Sequence, residues 1–321
     1  MKNLSVLDII NSIDSFSPDE KNLLLTYIEQ KTDNEKILNL VNSIAIKAHT
    51  CPHCGSHDIR KFGTNKGLQR FDCKNCLKKY NSLTGTPLAH LHKREQWLNM
   101  ASALNDSISL DKTALRCHIA HSTAFRWRHK FLKNISTDMP KTLDGIVEAD
   151  ETYLPRSHKG KHNDDEKPRK RGGIKGKGLS QKFVGLIVAL DRLGGIIDGI
   201  LDDSSTKSIS KILKNRLSGR SKLCIDGGSA LWGFVTQNKV SCAIMPSGKY
   251  IREYDPIYHI QTVNSYHSRL KSWIGRFHGV ATKYLPSYLG WFRKFEQTTY
   301  SLSHVGWLQN SLTLQVKPFL N

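Results

Sequence analysis

Four cysteines in two closely spaced pairs are the feature that most restricts the fold of this 321-residue chain. Cys51 and Cys54 form one pair, Cys73 and Cys76 the other, and 18 residues separate the pairs. This spacing is typical of a zinc ribbon, because each pair forms a tight turn with two thiolates and two turns complete a tetrahedron around Zn²⁺. The sequence therefore predicts a structural zinc site, with a β-hairpin between the two pairs.

The charge of the chain points to a polyanionic partner. Lysine and arginine number 48 against 28 acidic residues, a formal net charge of +20. Such an excess is explained better by nucleic acid than by a solvated surface alone. The first residues contain no apolar signal core, and the longest apolar run, Phe183 to Leu190, is too short to span a bilayer. We expect a soluble protein inside the cell, without membrane contact.

The N-terminal part of the chain divides into two predicted segments. Residues 1–46 have helical spacing and a helix start at Ser17-Pro18-Asp19-Glu20, and we interpret them as a packing or oligomerisation segment. Residues 47–92 hold the ribbon. Its many lysines and arginines form either a solvated face or a surface that contacts DNA phosphates.

Residues 93–138 are predicted to be a helix-turn-helix region. Two short helices, each beginning with a capping serine at Ser109 and Ser122, follow a longer apolar helix. In the second, Arg126 and Lys130 share the polar face, which favours a role in reading DNA. An ordinary helical hairpin is the alternative, because no glycine marks the turn.

Four polar residues in the C-terminal half stand where a sheet and a helix would bring them together. Asp150 interrupts the β-prone run Gly145–Tyr153, and Asp226 ends another short apolar run. Asn264 begins a segment with helical spacing, and Lys271 follows seven residues later, so the two share one helix face about 10 Å apart. Two carboxylates and an amide oxygen can bind hard divalent cations. The lysine can hold a phosphate.

Residues 139–321 are predicted to form one α/β domain. The elements follow in the order strand, hairpin, helix, strand, helix, strand, helix, which indicates a mixed layer around one sheet. On the first strand Glu148 should share the face of Asp150, whereas Glu151 should point to the other face.

A Gly- and Lys-rich loop, residues 158–177, follows the first strand of this domain. Its composition shows no apolar periodicity, so we expect it to be disordered in the free protein. The loop is either a solvated insertion or a clamp on a DNA strand, with Lys170 and Arg171 as its candidate DNA contacts.

In combination, these motifs resemble insertion-sequence transposases of the IS1595 type with the ISXO2-like transposase domain. The resemblance covers most of the chain from about residue 47. It is carried by the four ribbon cysteines, Ser82-Leu-Thr-Gly-Thr86, Val147-Glu-Ala-Asp150-Glu-Thr-Tyr153, Ile225-Asp226-Gly227, His259 five residues before Asn264, Lys271 and Gly275-Arg-Phe-His278.

The resemblance implies an RNase H-like catalytic domain with a three-residue metal site. It implies strand cleavage at the ends of a mobile element, transfer into target DNA, and a homo-oligomer on that DNA. Asp150, Asp226 and Asn264 match the metal site, with two Mg²⁺ as cofactors and Mn²⁺ as the alternative metal. The family often has glutamate at the third position, and some branches have asparagine followed by lysine, as here.

The sequence leaves three alternatives open. His259 either contacts DNA or orients a ligand, or it is a histidine satisfied by internal hydrogen bonds. Asn264 leaves room for a DNA-binding regulator with an inactive core. A nuclease or junction resolvase on the same fold is the third possibility, although it would not need two DNA-binding modules.

Overall fold

The computed structural model describes residues 12–159, 182–245, 255–297 and 303–313. Its helices are α1 (Pro18–Ala48), α2 (Trp97–Asn105), α3 (Leu110–Arg116), α4 (His121–Ile135), α5 (Thr206–Leu213), α6 (Ser229–Asn238), α7 (Gln261–Gly275), α8 (Leu285–Gln297) and α9 (His304–Ser311). Its strands are β1 (Ile59–Asn65), β2 (Leu68–Cys73), β3 (Lys79–Asn81), β4 (Ile146–Pro155), β5 (Phe183–Asp191), β6 (Ile196–Ile200), β7 (Lys222–Ile225) and β8 (Cys242–Ile244).

The described residues group into two compact units. One runs up to Phe131 and takes in the residues from Ser303 onward; the other spans Leu132 to Leu302. The domain boundaries predicted at residues 46, 92 and 138 remain predictions. In the described part of the chain, no helix is both long enough and apolar enough to cross a membrane.

In the first unit, the long helix α1 begins where the sequence predicts. The Ser17 hydroxyl accepts a hydrogen bond from the backbone N–H of Glu20, and the Glu20 carboxylate accepts one from the Ser17 N–H at 2.8 Å. This reciprocal pair satisfies two N–H groups that a helix end leaves free. Later in α1, the Asn42 side chain donates to the Gly67 carbonyl and accepts from the Gln69 N–H, both at 2.9 Å, which joins the helix to the ribbon hairpin.

The ribbon hairpin is confirmed: β1, β2 and β3 form an antiparallel sheet in that order. The helices predicted for residues 93–138 are present as α2, α3 and α4. Ser109 caps α3, as expected. The predicted cap at Ser122 is wrong, because α4 already begins at His121 and Ser122 lies inside its first turn.

The second unit is built on a mixed sheet of five strands in the order β6-β5-β4-β7-β8. The central strand β4 is antiparallel to β5, and β5 is antiparallel to β6. On the other side β4 is parallel to β7, and β7 to β8. The expected mixed α/β layer is confirmed, and the carboxyl ends of β4 and β7 point to the same edge of the sheet.

Different helices pack against the two faces of this sheet. On one face, Val147 and Ala149 of β4 lie in an apolar core that includes α5 and α6 residues such as Ile209 and Phe234. On the other, α7 and α8 pack by aromatic contacts, with Trp273 edge-on to Trp291 at 5.0 Å. A buried ion pair between Arg293 of α8 and Asp198 of β6, at 2.5 Å, ties this helical layer to the sheet.

Candidate active site and metal centre

The four ribbon cysteines converge. Their sulfur atoms all lie within 4.8 Å of one another, with 3.8 Å between Cys51 and Cys76 and 3.5 Å between Cys54 and Cys73. A tetrahedral zinc with Zn–S bonds of about 2.3 Å would set its sulfurs about 3.8 Å apart. The cluster therefore has the donor type and spacing of a structural zinc site. In the described residues it is the one tight group of three or more Cys, His, Asp or Glu ligand atoms.

Asp150 and Asp226 lie side by side at one edge of the second sheet. In the parallel ladder between β4 and β7, Glu148 is opposite Cys224. Two residues further along the chain from this pair are Asp150, inside β4, and Asp226, directly after the end of β7, and the Asp226 carboxylate is close enough to raise the pKa of Asp150. Gly227 follows in a left-handed turn (φ 84°), and the Gly228 N–H donates to Asp226 Oδ1 at 2.8 Å. This turn fixes the exposed carboxylate of Asp226.

Helix α7 faces this edge with Asn264, His267 and Lys271. Together with Asp150 they line a cleft of about 500 Å³, whose remaining lining residues are Glu151, Thr152, Gln261, Ser265 and Ser268. The predicted shared face of Asn264 and Lys271 is thereby confirmed. His267 was not among the residues predicted from the sequence, although its spacing of three and four residues from Asn264 and Lys271 places it on the same helix face.

His267 is buried, and its Nδ1 lies 3.7 Å from Asp150 Oδ2. Burial, and secondly the charge of Lys271, lower the pKa of His267 to about 4, so the imidazole is neutral near pH 7. Its Nε2 and the Nδ2 of Asn264 are both buried and have no hydrogen-bond partner in the described structure.

The cleft concentrates negative charge. Burial raises the pKa of Asp150 to about 7, and the neighbouring Asp226 carboxylate contributes to the same shift. Burial also raises the pKa of Glu151. Such a site is short of positive charge, because Lys271 compensates only part of it. A cation between the carboxylates would remove the deficit.

Glu148 joins β4 to the start of α7. Its fully buried carboxylate accepts hydrogen bonds from the backbone N–H groups of Thr262 (2.7 Å) and Val263 (3.0 Å). Its other oxygen lies 2.8 Å from Arg192 Nη2 and 3.3 Å from His259 Nδ1. Helix N-termini favour such a negative partner. The same strand face thus carries Asp150 and holds the helix that carries Asn264.

Glu151 follows the expected alternation. The Tyr153 hydroxyl, two residues along the strand, donates to Glu151 Oε2 at 3.0 Å, so these two side chains share a face. Glu151 is half-buried and still borders the cleft, because β7 has ended beside it.

The candidate DNA contacts differ in how exposed they are. On α4, Arg126 and Lys130 are exposed, while Ala124, Trp127 and Phe131 are buried, as the helical spacing predicts. His259 is largely buried against Glu148, so internal contacts account for its ring. Lys170 and Arg171 lie outside the described residues.

Comparison with known proteins gives three findings. Residues 142–293 match the family model of the ISXO2-like transposase domain. A protein of Halobacterium salinarum, described as an uncharacterized protein in transposable element ISH50, is 25% identical over 250 residues, which cover 76% of this chain and 83% of that relative. The crystal structure of the Mos1 strand transfer complex aligns with 61% of this chain and 73% of its own, at 13% identity and with a TM-score of 0.23.

Proposed function

Because residues 142–293 are an ISXO2-like transposase domain, we propose that this chain is a DNA transposase that cleaves the ends of its element and transfers them into target DNA. The observation that carries the proposal is the cleft at the edge of the five-stranded sheet. It gathers Asp150, Asn264 and Lys271 around one space, with Asp226 on the adjacent strand end. We assign the sheet, from its strand order and directions, to the RNase H-like fold.

The donor set fits divalent metal. Asp150, Asp226 and the side-chain oxygen of Asn264 would hold Mg²⁺, or Mn²⁺ in its place, since hard cations prefer oxygen ligands. Two such ions, when bound, neutralise charge on the phosphate and make the attacking hydroxyl more nucleophilic. Asn264 contributes no charge, so we expect weaker metal affinity in the free protein than three carboxylates would give.

Lys271 acts on the substrate. It lines the cleft two helical turns beyond Asn264 and is exposed. Its ammonium group would pair with a phosphate oxygen of the strand in the cleft. A contact that strengthens as charge builds up on the phosphate lowers the barrier rather than only improving binding.

The remaining basic residues deliver DNA to the cleft. Arg126 and Lys130 on α4 would bind the terminal inverted repeats as part of a helix-turn-helix, next to a zinc ribbon built on Cys51, Cys54, Cys73 and Cys76. Lys170, Arg171 and His259 stay candidate DNA contacts. For His259 the pairing with Glu148 favours positioning of α7 instead. Two element ends require a homo-oligomer on the DNA.

The test is cleavage and strand transfer of labelled terminal-repeat DNA across a Mg²⁺ titration. Asp150→Ala and Asp226→Ala should abolish both reactions and spare repeat binding, because these residues hold metal rather than DNA. Asn264→Ala should be severely impaired, and Asn264→Glu should act at lower Mg²⁺. Asp202→Asn is the matched control, since this carboxylate is exposed and paired only with Lys211 in the described structure.

Two results would decide against the proposal. Wild-type cleavage by Asp226→Ala would remove the catalytic assignment. Repeat binding without any cleavage by the wild-type chain would favour a DNA-binding regulator.

A further inference from the structure

Trp232 differs from every other tryptophan of the chain in its exposure. It lies in α6 and is 45% exposed, whereas the other five tryptophans are at most 4% exposed. In the described structure no aromatic ring and no cation packs on its indole. Tryptophan is highly buried on average, but a single exposed apolar side chain is ordinary. A role for this ring therefore depends on what lies beside it.

The neighbour of Trp232 is the candidate metal ligand Asp226. The Trp232 backbone N–H donates to the Gly228 carbonyl, and the Gly228 N–H donates to Asp226 Oδ1, both at 2.8 Å. Because the two bonds share one residue, the Trp232 backbone nitrogen lies within about 9 Å of that carboxylate. Side chains of a helix lean toward its N-terminus. We therefore expect the indole to lean from α6 back toward Asp226.

The surface between Asp226 and Trp232 is open. It consists of Gly227, Gly228 and Ser229, all of which are exposed. Two of these three residues have no side chain, and a Cβ on Gly228 would lie 3.1 Å from Asp226 Oδ1. A flat ring can therefore approach the indole from the side of the carboxylate without displacing a side chain of this strip.

A DNA base has the shape and the chemistry for this place. Successive bases of a duplex strand are about 3.4 Å apart, so an indole this close to Asp226 can reach the first nucleotides beside a phosphate held at the metal site. Every base has a π-face that stacks on aromatic side chains. Ile244 of β8 borders the same strip, since a Cβ on Gly227 would lie 3.2 Å from its Cγ2, and it is 38% exposed. Aromatic and apolar side chains together are typical of sites that hold a base out of the duplex.

We propose that Trp232 binds, by stacking, a base next to the phosphate that is cleaved. This inference rests on the proposed transposase function. Lys271 on α7 then contacts a phosphate and Trp232 on α6 a base of the same strand, from helices that pack on opposite faces of the sheet. Holding a base out of the duplex costs least where the base is already unpaired, so the stack favours frayed DNA at the cleavage position.

The experiment tests the contact between the ring and individual bases. The wild-type chain is used in Mg²⁺ to map the cleavage position, and repeat duplexes are prepared that each lack one base within three nucleotides of it. Binding of the full chain is measured by fluorescence anisotropy in Ca²⁺, so that no turnover occurs. For each protein, the affinity for intact DNA is divided by the affinity for each base-free duplex. A change of this ratio between two proteins isolates the contact between that base and Trp232.

Two substitutions separate stacking from apolar contact. Trp232→Leu keeps an apolar side chain and removes the π-face, whereas Trp232→Phe keeps a smaller π-face. At one position the ratio should be about 5-fold or more higher in wild type than in Trp232→Leu, the effect of one base–aromatic stack. Trp232→Phe should keep most of this difference. The control is Leu193→Ala, which removes an exposed apolar side chain in the turn between β5 and β6 and should leave every ratio unchanged.

Equal ratios in wild type and Trp232→Leu at every position would overturn the proposal. If light scattering then shows a smaller assembly for Trp232→Leu, the ring belongs to a contact between subunits. A wild-type chain that cleaves repeat DNA with Mg²⁺ but shows no coupled base refutes this inference alone. A chain that neither binds nor cleaves repeat DNA refutes the proposed function as well.

Discussion

Loss of the Glu148 carboxylate should release the start of α7 from the sheet. In Glu148→Ala the backbone N–H groups of Thr262 and Val263 lose their acceptor, and Arg192 loses its buried partner. Hydrogen bonds to a charged group are worth about 1.5–3 kcal/mol each, and breaking a buried ion pair costs about 3–5 kcal/mol. These terms overlap, and Arg192 is 34% exposed and can turn to water. We therefore expect a loss of about 3–5 kcal/mol.

Hydrogen exchange at the two amides is the direct assay. Exchange at Thr262 and Val263 reports opening of this turn, and a loss of about 3 kcal/mol or more speeds it at least about 100-fold. Glu148→Gln keeps an oxygen for the helix and should show a smaller increase. Arg192→Met should recover part of the loss in Glu148→Ala, because no unpaired cation is then left behind.

Strand transfer should fall in parallel, since α7 carries Asn264 and Lys271. The control is Asp202→Asn, which removes an exposed ion pair and should change stability by less than about 1 kcal/mol. Unchanged exchange at Thr262 and Val263 in Glu148→Ala would show that the carboxylate does not hold the helix.

Three further predictions concern the metal cluster, the DNA contacts and the cleft. Cys73→Ser should reduce zinc from about one ion per chain and weaken DNA binding, as measured by metal analysis and gel shift; full zinc content would contradict the site. Arg126→Ala and Lys130→Ala should each make the fall of log affinity with log salt concentration less steep, by about 0.9 in the slope, if each residue contacts one phosphate. An unchanged slope would exclude that contact. Asp150→Asn should stabilise the metal-free protein at pH 8, by up to about 4 kcal/mol for a pKa raised from 3.8 to about 7. In wild type, the stability from protonated Asp150 is complete below about pH 4 and is lost as pH rises to about 7, so the advantage of Asp150→Asn should be absent near pH 4 and grow to its full value above about pH 7 in urea titrations.

Most helices and strands of this chain could be predicted from the sequence, because short-range patterns of residues determine where they form. The Ser17 cap, the cysteine spacing and the face of α4 that buries Trp127 depend on residues a few positions apart. The predicted cap at Ser122 was wrong because a serine can lie either at the cap of a helix or inside its first turn. The local sequence does not determine at which residue the helix begins.

The metal-binding candidates of the site could be proposed from the sequence, but the contacts that hold them in position could not. The strand pattern and the helical spacing single out Asp150, Asp226 and Asn264 as candidates without any knowledge of their distances, although Asp150 lies inside β4 and not at its end. Glu148 is different, because its partners Thr262 and Val263 lie 114 and 115 positions away and are backbone groups without a side-chain signature. His267 had the right spacing, but burial and contact with Asp150 become visible only once β4 and α7 are packed together.

Helix α9 has a consequence for the order in which the protein can be made. It belongs to the same compact unit as the ribbon, and Trp307 donates from its indole nitrogen to the Asn105 side chain at 3.1 Å. The ribosome delivers α9 only after the whole of the cleft-bearing unit, so the unit that begins first is finished last. A nascent chain stalled before Ser303 would hold every residue of the cleft and lack the Trp307 contact with α2. Premature termination near the 3′ end of the gene should therefore impair the N-terminal unit first.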